Sequence, residues 1–193
     1  ATVAETGWDF SSRWSRSGGE VGRNLSLNTS QATHVLPVDL NAVMYNFELT
    51  LAAISETVAA KSRLATILQE PRAASFHSSS AAAWAQAAAR RRDAFDALFW
   101  RDGLGRWVDV WLQEPGQDAG RQPLRFNQQA SALEQGRRTP TIADFATPLW
   151  AGLASPEQAA RSIDAFKRSG LQGPGGVFTT AKTTGQQWDE PNA

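Results

Sequence analysis

The sequence predicts an all-α protein whose helices are joined by long, aromatic loops, with one small β-hairpin. Three stretches predict it. Leu40, Val43, Met44, Phe47, Leu51, Ile54 and Val58 recur at the i, i+3, i+4, i+7 spacing that places apolar residues on one face of a helix. Trp84, Ala88, Phe95 and Leu98 mark one side of a second, alanine-rich helix. Ser155-Pro156-Glu157-Gln158 has a serine cap, a proline at the first helical position and a glutamine three residues after the cap, so it opens a third.

Length and composition bound the function. A chain of 193 residues with 41% apolar residues suits a single domain, 1–193, with its own core. Its 19 basic residues balance 19 acidic ones, so no overall field draws in nucleic acid or an anionic membrane surface. No apolar run reaches the roughly 20 residues needed to span a bilayer. The chain has no cysteine, and neither His34 nor His77 has a metal-ligand spacing around it, so no metal site is expected. His34 reads as a core-edge residue and His77 as a loop one. Eight tryptophans stand against one tyrosine and one methionine. Indole faces stack well on the C–H faces of sugars, which suggests a neutral small-molecule partner; Trp84 and Trp100 are read as core. Oligomeric state is not legible. The chain starts at Ala1, and the expectation is of a piece excised from a longer protein.

Residues 1 to 33 read as loop with one short element. Asn24-Leu25-Ser26 and Asn28-Thr29-Ser30 match the N-glycosylation acceptor pattern and hint at a secreted or extracellular protein. Pro37 closes an extended segment, and Asp39 can cap the first helix, whose apolar stripe is core. A turn through Pro71 precedes the second helix, opened by Ser78 or Ser80. Its Arg90-Arg91-Arg92 run is a solvated face, because consecutive residues point in different directions around a helix. Leu98-Phe99-Trp100 and Arg106 to Leu112 flank Arg101-Asp102-Gly103-Leu104-Gly105, which predicts a small hairpin. A polar loop follows to residue 140, with a short helix from Gln128 to Gln135. The third helix turns Ala160, Ile163 and Phe166 inward and ends at Gly170. Gly173-Pro174-Gly175-Gly176 then gives a bend; it lacks the Gly-Lys-Ser/Thr ending of a phosphate loop.

Candidate chemistry lies at the two ends of the chain. Gly7-Trp8-Asp9-Phe10-Ser11-Ser12-Arg13-Trp14 packs two tryptophans, a phenylalanine, a carboxylate and an arginine into one segment. A carboxyl set among aromatic rings loses hydration, which favours the neutral form that a general acid requires. Two structural roles compete for Asp9: capping the N–H groups of Ser11 or Ser12, or pairing with Arg13. Gly185-Gln186-Gln187-Trp188-Asp189-Glu190-Pro191-Asn192 forms the second cluster.

These motifs carry a resemblance. Glu5 to Trp14 is similar to the segment of α,α-trehalases of glycoside hydrolase family 37 that holds their catalytic acid. Leu36-Pro37-Val38-Asp39-Leu40-Asn41, the aromatic stretch Phe99 to Asp109, Pro148-Leu149-Trp150-Ala151-Gly152 and Gly185 to Asn192 resemble further elements of that family, in the same order. The resemblance implies a partial (α/α)6 barrel, a six-hairpin toroid, and hydrolysis of trehalose to two glucose molecules with inversion and without metal or other cofactor. It implies that Asp9 is the acid, that Gly7 lies against the sugar through its backbone, that Trp188 is a wall of the pocket, and that Gln187 bonds a hydroxyl. Asp189 is read as ordering its own loop through backbone N–H groups.

Departures from the family pattern set the alternatives. The family's base is a glutamate downstream of the Gln-Trp-Asp signature, and its first signature and sugar-gripping arginines lie upstream; none is present, so the expectation is of an internal fragment truncated at both ends and inactive by itself. Glu5, Glu48 and Glu190 are poor substitutes by position. Thr6 stands where serine is commoner. Another inverting (α/α)6 α-glucosidase, or a non-catalytic helical module binding sugar or protein, remain the competing readings. An incomplete ring of helices would also leave apolar faces uncovered.

Overall fold

Pro37 ends a two-residue strand, β1 (Val35–Leu36), and directly precedes the longest helix of the chain. The computed structural model describes residues 2–15, 30–67, 79–113, 125–126 and 139–189. A short helix α1 (Thr2–Thr6) comes first, and α2 (Val38–Ile67) packs against α3 (Ser79–Phe99). Ala42, Tyr45, Glu48, Ala52, Ser55 and Ala59 are the buried face of α2, and Ala81, Ala88, Phe95 and Phe99 that of α3. Small side chains on both faces let the helices approach closely.

The helical period of α2 is as expected, but its buried face is not. Val43, Phe47 and Ile54 are exposed, while Leu40, Met44, Leu51 and Val58 are half-buried. The buried line runs along neighbouring positions, about 100° around the helix from the predicted stripe. A cross-helix network fixes that rotation: Arg91 donates Nε and Nη2 to Glu48 at 3.0 and 2.8 Å, and Nη1 to Asn41 at 2.8 Å. Arg91 is therefore not part of a solvated run, although Arg90 and Arg92 are exposed. Trp84 is exposed as well, contrary to its reading as core.

The predicted hairpin is present. β2 (Trp100–Arg101) pairs antiparallel with β3 (Arg106–Trp107) around a turn closed by Gly105 at φ 62°. Trp100 meets Trp107 edge to face at 4.7 Å, and Trp107 is fully buried. A second sheet was not legible in the sequence: β4 (Val110–Gln113) lies between β1 and β5 (Arg125–Phe126). Its register sets Val35 opposite Trp111 and Leu36 opposite Val110, bringing the entrance of α2 to the exit of the hairpin. Trp14, Val38, Phe95, Phe99, Trp107 and Trp111 meet there in the main core.

Thr141 and Asp144 form a capping box over one 3-10 turn, and Asp144 also accepts a bond from Arg106. The segment Pro148 to Gly152 makes the end of α4 (Ala146–Trp150), with Pro148 buried and Trp150 exposed. The capping box at Ser155 opens α5 (Pro156–Lys167) as predicted. Its inward face differs: Ser162 and Ala165 are buried and Phe166 packs on Phe145 at 5.5 Å, whereas Ala160 and Ile163 are exposed. Gly170 follows at φ 79°. The glycine-rich bend is a hairpin, β6 (Gln172–Gly173) with β7 (Gly176–Val177), folded so tightly that a Cβ on Gly173 would lie 2.6 Å from the Phe178 ring. His34 is half-buried, as expected.

The whole is mostly helical with small sheets. No helix among the described residues is long and apolar enough to cross a membrane. Residues 24–26, 28 and 29 of the glycosylation triplets, the turn at Pro71, His77, the predicted helix from Gln128 to Gln135, and Glu190, Pro191 and Asn192 lie outside the described residues.

Candidate active site

The first and last aromatic segments of the chain meet. Gly7 ends α1 at φ 75°, its N–H bonded to the Ala4 carbonyl at 3.3 Å, a backbone conformation that side-chain-bearing residues rarely adopt. The chain then passes through Trp8 and Asp9 into a 3-10 turn, Ser12–Trp14, capped by the Ser11 hydroxyl, which accepts the Arg13 N–H at 3.1 Å. The Trp14 indole N–H closes the loop onto the Trp8 carbonyl at 2.6 Å. From the other end of the chain, the Trp188 N–H donates to the Phe10 carbonyl at 3.0 Å, and the Trp8 and Trp188 rings sit 6.1 Å apart.

Arg13 anchors this loop from beneath. It is buried, and its guanidinium bonds Asp39 through Nη1 and Nη2 at 2.7 and 2.8 Å, and Asp109 through Nε and Nη2, both at 2.8 Å. The guanidinium carbon lies 4.8 Å from the ring centroid of Trp8 and 4.8 Å from that of Trp14. Burial pulls the Arg13 pKa down, but Asp109 and Asp39 more than offset this and hold it well above its ordinary value. Asp109 Oδ1 also accepts the Val38 N–H at 3.0 Å, and Asp39 Oδ1 accepts the Leu40 N–H at 2.8 Å. One cation thus fixes the loop of residues 7–14, the first turn of α2 and the hairpin exit together.

Asp189 does the same from the side. Fully buried, its carboxylate accepts bonds from Ser11 Oγ at 2.9 Å, Ser12 N–H at 2.9 Å, Thr180 Oγ1 at 3.2 Å and Thr184 Oγ1 at 2.6 Å. Thr179 Oγ1 donates to the Trp188 carbonyl at 2.8 Å. Sequence reasoning gave Asp189 only its own loop. The Asp-Phe-Ser-Ser run, with two potential donors after Asp9, was the available signal for its cross-chain role.

Asp9 itself is exposed and makes no hydrogen bond or ion pair among the described residues. The desolvation expected from flanking aromatic rings is absent, because Trp8 turns inward and Phe10 stands exposed. Both structural roles proposed for Asp9 are also taken: Asp189 holds the Ser12 N–H, and Asp39 and Asp109 hold Arg13. Of the other candidates, Gly7 and Gln187 are exposed and Trp188 is half-buried with its indole N–H unbonded among the described residues. A cleft of about 340 Å³ between α2 and α3, lined by Asn41, Glu48, Arg91 and Phe95 among others, contains none of the four. Among the described residues no cluster of three or more histidine, cysteine, aspartate or glutamate side chains could hold a metal ion.

Comparison with known proteins matches the whole chain to one family. The family profile named Trehalase covers residues 1–193. A trehalase of Arabidopsis thaliana is 28% identical over 194 residues, covering 100% of this chain and 26% of that protein. Periplasmic trehalases of Xanthomonas oryzae pv. oryzae and Xanthomonas campestris pv. campestris are each 34% identical, over 195 and 190 residues, covering 98% of this chain and 25% of theirs. The chain spans about a quarter of the length of these relatives.

Proposed function

The chain belongs to the trehalase family, and from that premise we propose that it forms part of a glycoside hydrolase domain, a partial (α/α)6 barrel, that cleaves α,α-trehalose into two glucose molecules with inversion. Asp9 is the general acid in this reading. Its carboxyl protonates the bridging oxygen as the C1–O bond breaks and one glucose leaves with that oxygen, while a water attacks the same C1 from the face opposite the leaving group. A second carboxylate must activate that water from about 6.5 to 9.5 Å away. We assign it to no residue of 1–193 and expect it in a glycine-rich segment downstream of the Gln-Trp-Asp signature. Gly7 offers its backbone to the sugar, Trp188 forms a wall and Gln187 bonds a hydroxyl. A secreted or extracellular location, in line with the periplasmic trehalases of Xanthomonas, is part of the same proposal.

One observation carries this reading best. Asp9 is exposed and unpartnered among the described residues, in a loop whose Ser11, Ser12 and Arg13 are held from two sides. A carboxylate that a fold spends so many contacts to present, yet does not use, is available for chemistry.

The test uses the complete open reading frame that contains this chain. Asp9→Asn is expected to lower kcat on trehalose by about 10³-fold, the range of a lost general acid, with substrate binding retained. Turnover near the wild-type rate would remove Asp9 from the mechanism. Faster cleavage of kojibiose or maltose than of trehalose would favour a different α-glucosidase.

A further inference from the structure

We propose that Asp189 is a positioning residue for Asp9, acting through Ser11 and Ser12; the inference rests on Asp9 being the acid. Asp189 is fully buried and pairs with no cation among the described residues, so hydrogen bonds alone balance the cost of burying its charge. Four donors meet its two oxygens, and two of them, Ser11 Oγ and Ser12 N–H, come from the residues second and third after Asp9. Ser11 Oγ in turn accepts the Arg13 N–H, so the carboxylate reaches the anchored end of the loop through a single hydroxyl.

The consequence is directional. Residues on both sides of Asp9 are tied down: Trp8 through its carbonyl to Trp14, Phe10 through its carbonyl to Trp188, and Ser11 and Ser12 to Asp189. The backbone that carries Asp9 is therefore held in part by a group on the opposite loop. An acid misplaced by about 1 Å can lose about 10²-fold in rate. Asparagine at 189 would keep the shape but supply one acceptor oxygen in place of two, and its NH2 group would face a donor on one side.

The discriminating experiment compares two substrates in the complete open reading frame. Trehalose needs a protonated leaving group; α-glucosyl fluoride does not, because fluoride leaves unaided. Asp189→Asn is expected to reduce kcat on trehalose by about 10²-fold with little change in KM, and to spare α-glucosyl fluoride. Ser11→Ala should act in the same direction, and the double variant should be no slower than Asp189→Asn, since both break one path. Equal losses on the two substrates, multiplicative losses in the double variant, or an unchanged kcat in folded protein would each overturn the proposal. If Asp189→Asn does not fold, Ser11→Ala alone decides it by the same substrate contrast. Wild-type turnover by Asp9→Asn would strike down the acid assignment and this inference together. An inactive Asp9→Asn beside a fully active Asp189→Asn strikes down the inference only.

Discussion

Arg13 meets Asp109 through Nε and Nη2, both at 2.8 Å, across 96 positions of sequence. Asp39 takes the outer edge of the same guanidinium. The planar fork of arginine satisfies both carboxylates at once, which a point-charge lysine cannot do. This triad joins the loop of residues 7–14 to the first turn of α2 and the hairpin exit, so it ties the segment that carries Asp9 to the stability of the fold.

Arg13→Met would leave two buried carboxylates without their cation. Breaking a buried charge network from one side costs about 3 to 5 kcal/mol, a large share of the stability of a domain this size. Urea unfolding of the complete open reading frame is expected to show that loss, with Arg13→Lys intermediate. A change below about 1 kcal/mol, the size of an exposed ion pair, would show that the triad is not what holds the loop.

Ser155→Ala tests the one element whose start was legible to the residue. Ser155 Oγ accepts the Gln158 N–H at 3.1 Å, and Gln158 Oε1 accepts the Ser155 N–H at 2.9 Å. Removing the cap should cost about 1 kcal/mol by denaturant melts of the complete open reading frame, and Ser155→Asp should restore most of it. No loss in the alanine variant would mean that α5 is held by its packing on Phe145 alone.

Local features such as this one were readable because they depend on neighbours in sequence. The Ser155 cap, the hairpin around Gly105 and the strand before Pro37 each follow from a few adjacent residues. The α2 face was misjudged because which side of a helix is buried depends on what packs there. Alanines 42, 52 and 59 are buried while Phe47 and Ile54 are exposed, and hydrophobicity ranks them the other way. The same limit applies at the site. Asp9 was visible as a residue among aromatics, but its exposed and unpartnered state was not, since that depends on Asp189, Asp39 and Asp109 serving its neighbours from distant positions.

The turn of the hairpin carries a pH-sensitive contact. Arg161 Nη1 bonds Asp102 Oδ1 at 2.6 Å, and Arg161 also reaches the Asp102 carbonyl. This bond, with help from Trp100, holds the Asp102 carboxyl below its ordinary pKa. A depressed folded-state pKa stabilises the fold above the unfolded value, and that contribution is lost as pH falls through the folded one. Arg161→Met should therefore raise the Asp102 pKa toward that of a free aspartate, read by carboxyl carbon NMR, and flatten the stability loss on acidification in that window. An unmoved titration would mean that solvent screens the pair completely.

The exposed side of α2 makes the last prediction. Phe47, Ile54 and Val43 are 55%, 52% and 45% exposed, spaced so that they lie along one side of the helix. Scattered apolar side chains on a surface are ordinary, but a contiguous row on a 30-residue helix favours association. The chain expressed by itself should sediment as a concentration-dependent mixture and melt without a sharp transition. Phe47→Glu with Ile54→Lys should suppress that association without loss of helical circular dichroism, because both new residues are good helix formers and neither position faces α3. In the complete open reading frame the same pair separates two cases. If the row stays in solvent, the substitutions leave the melting temperature unchanged; if other residues cover it, two charges are buried and the melting temperature falls. A wild-type chain that is monomeric and melts cooperatively by itself would show that the row carries no drive to associate.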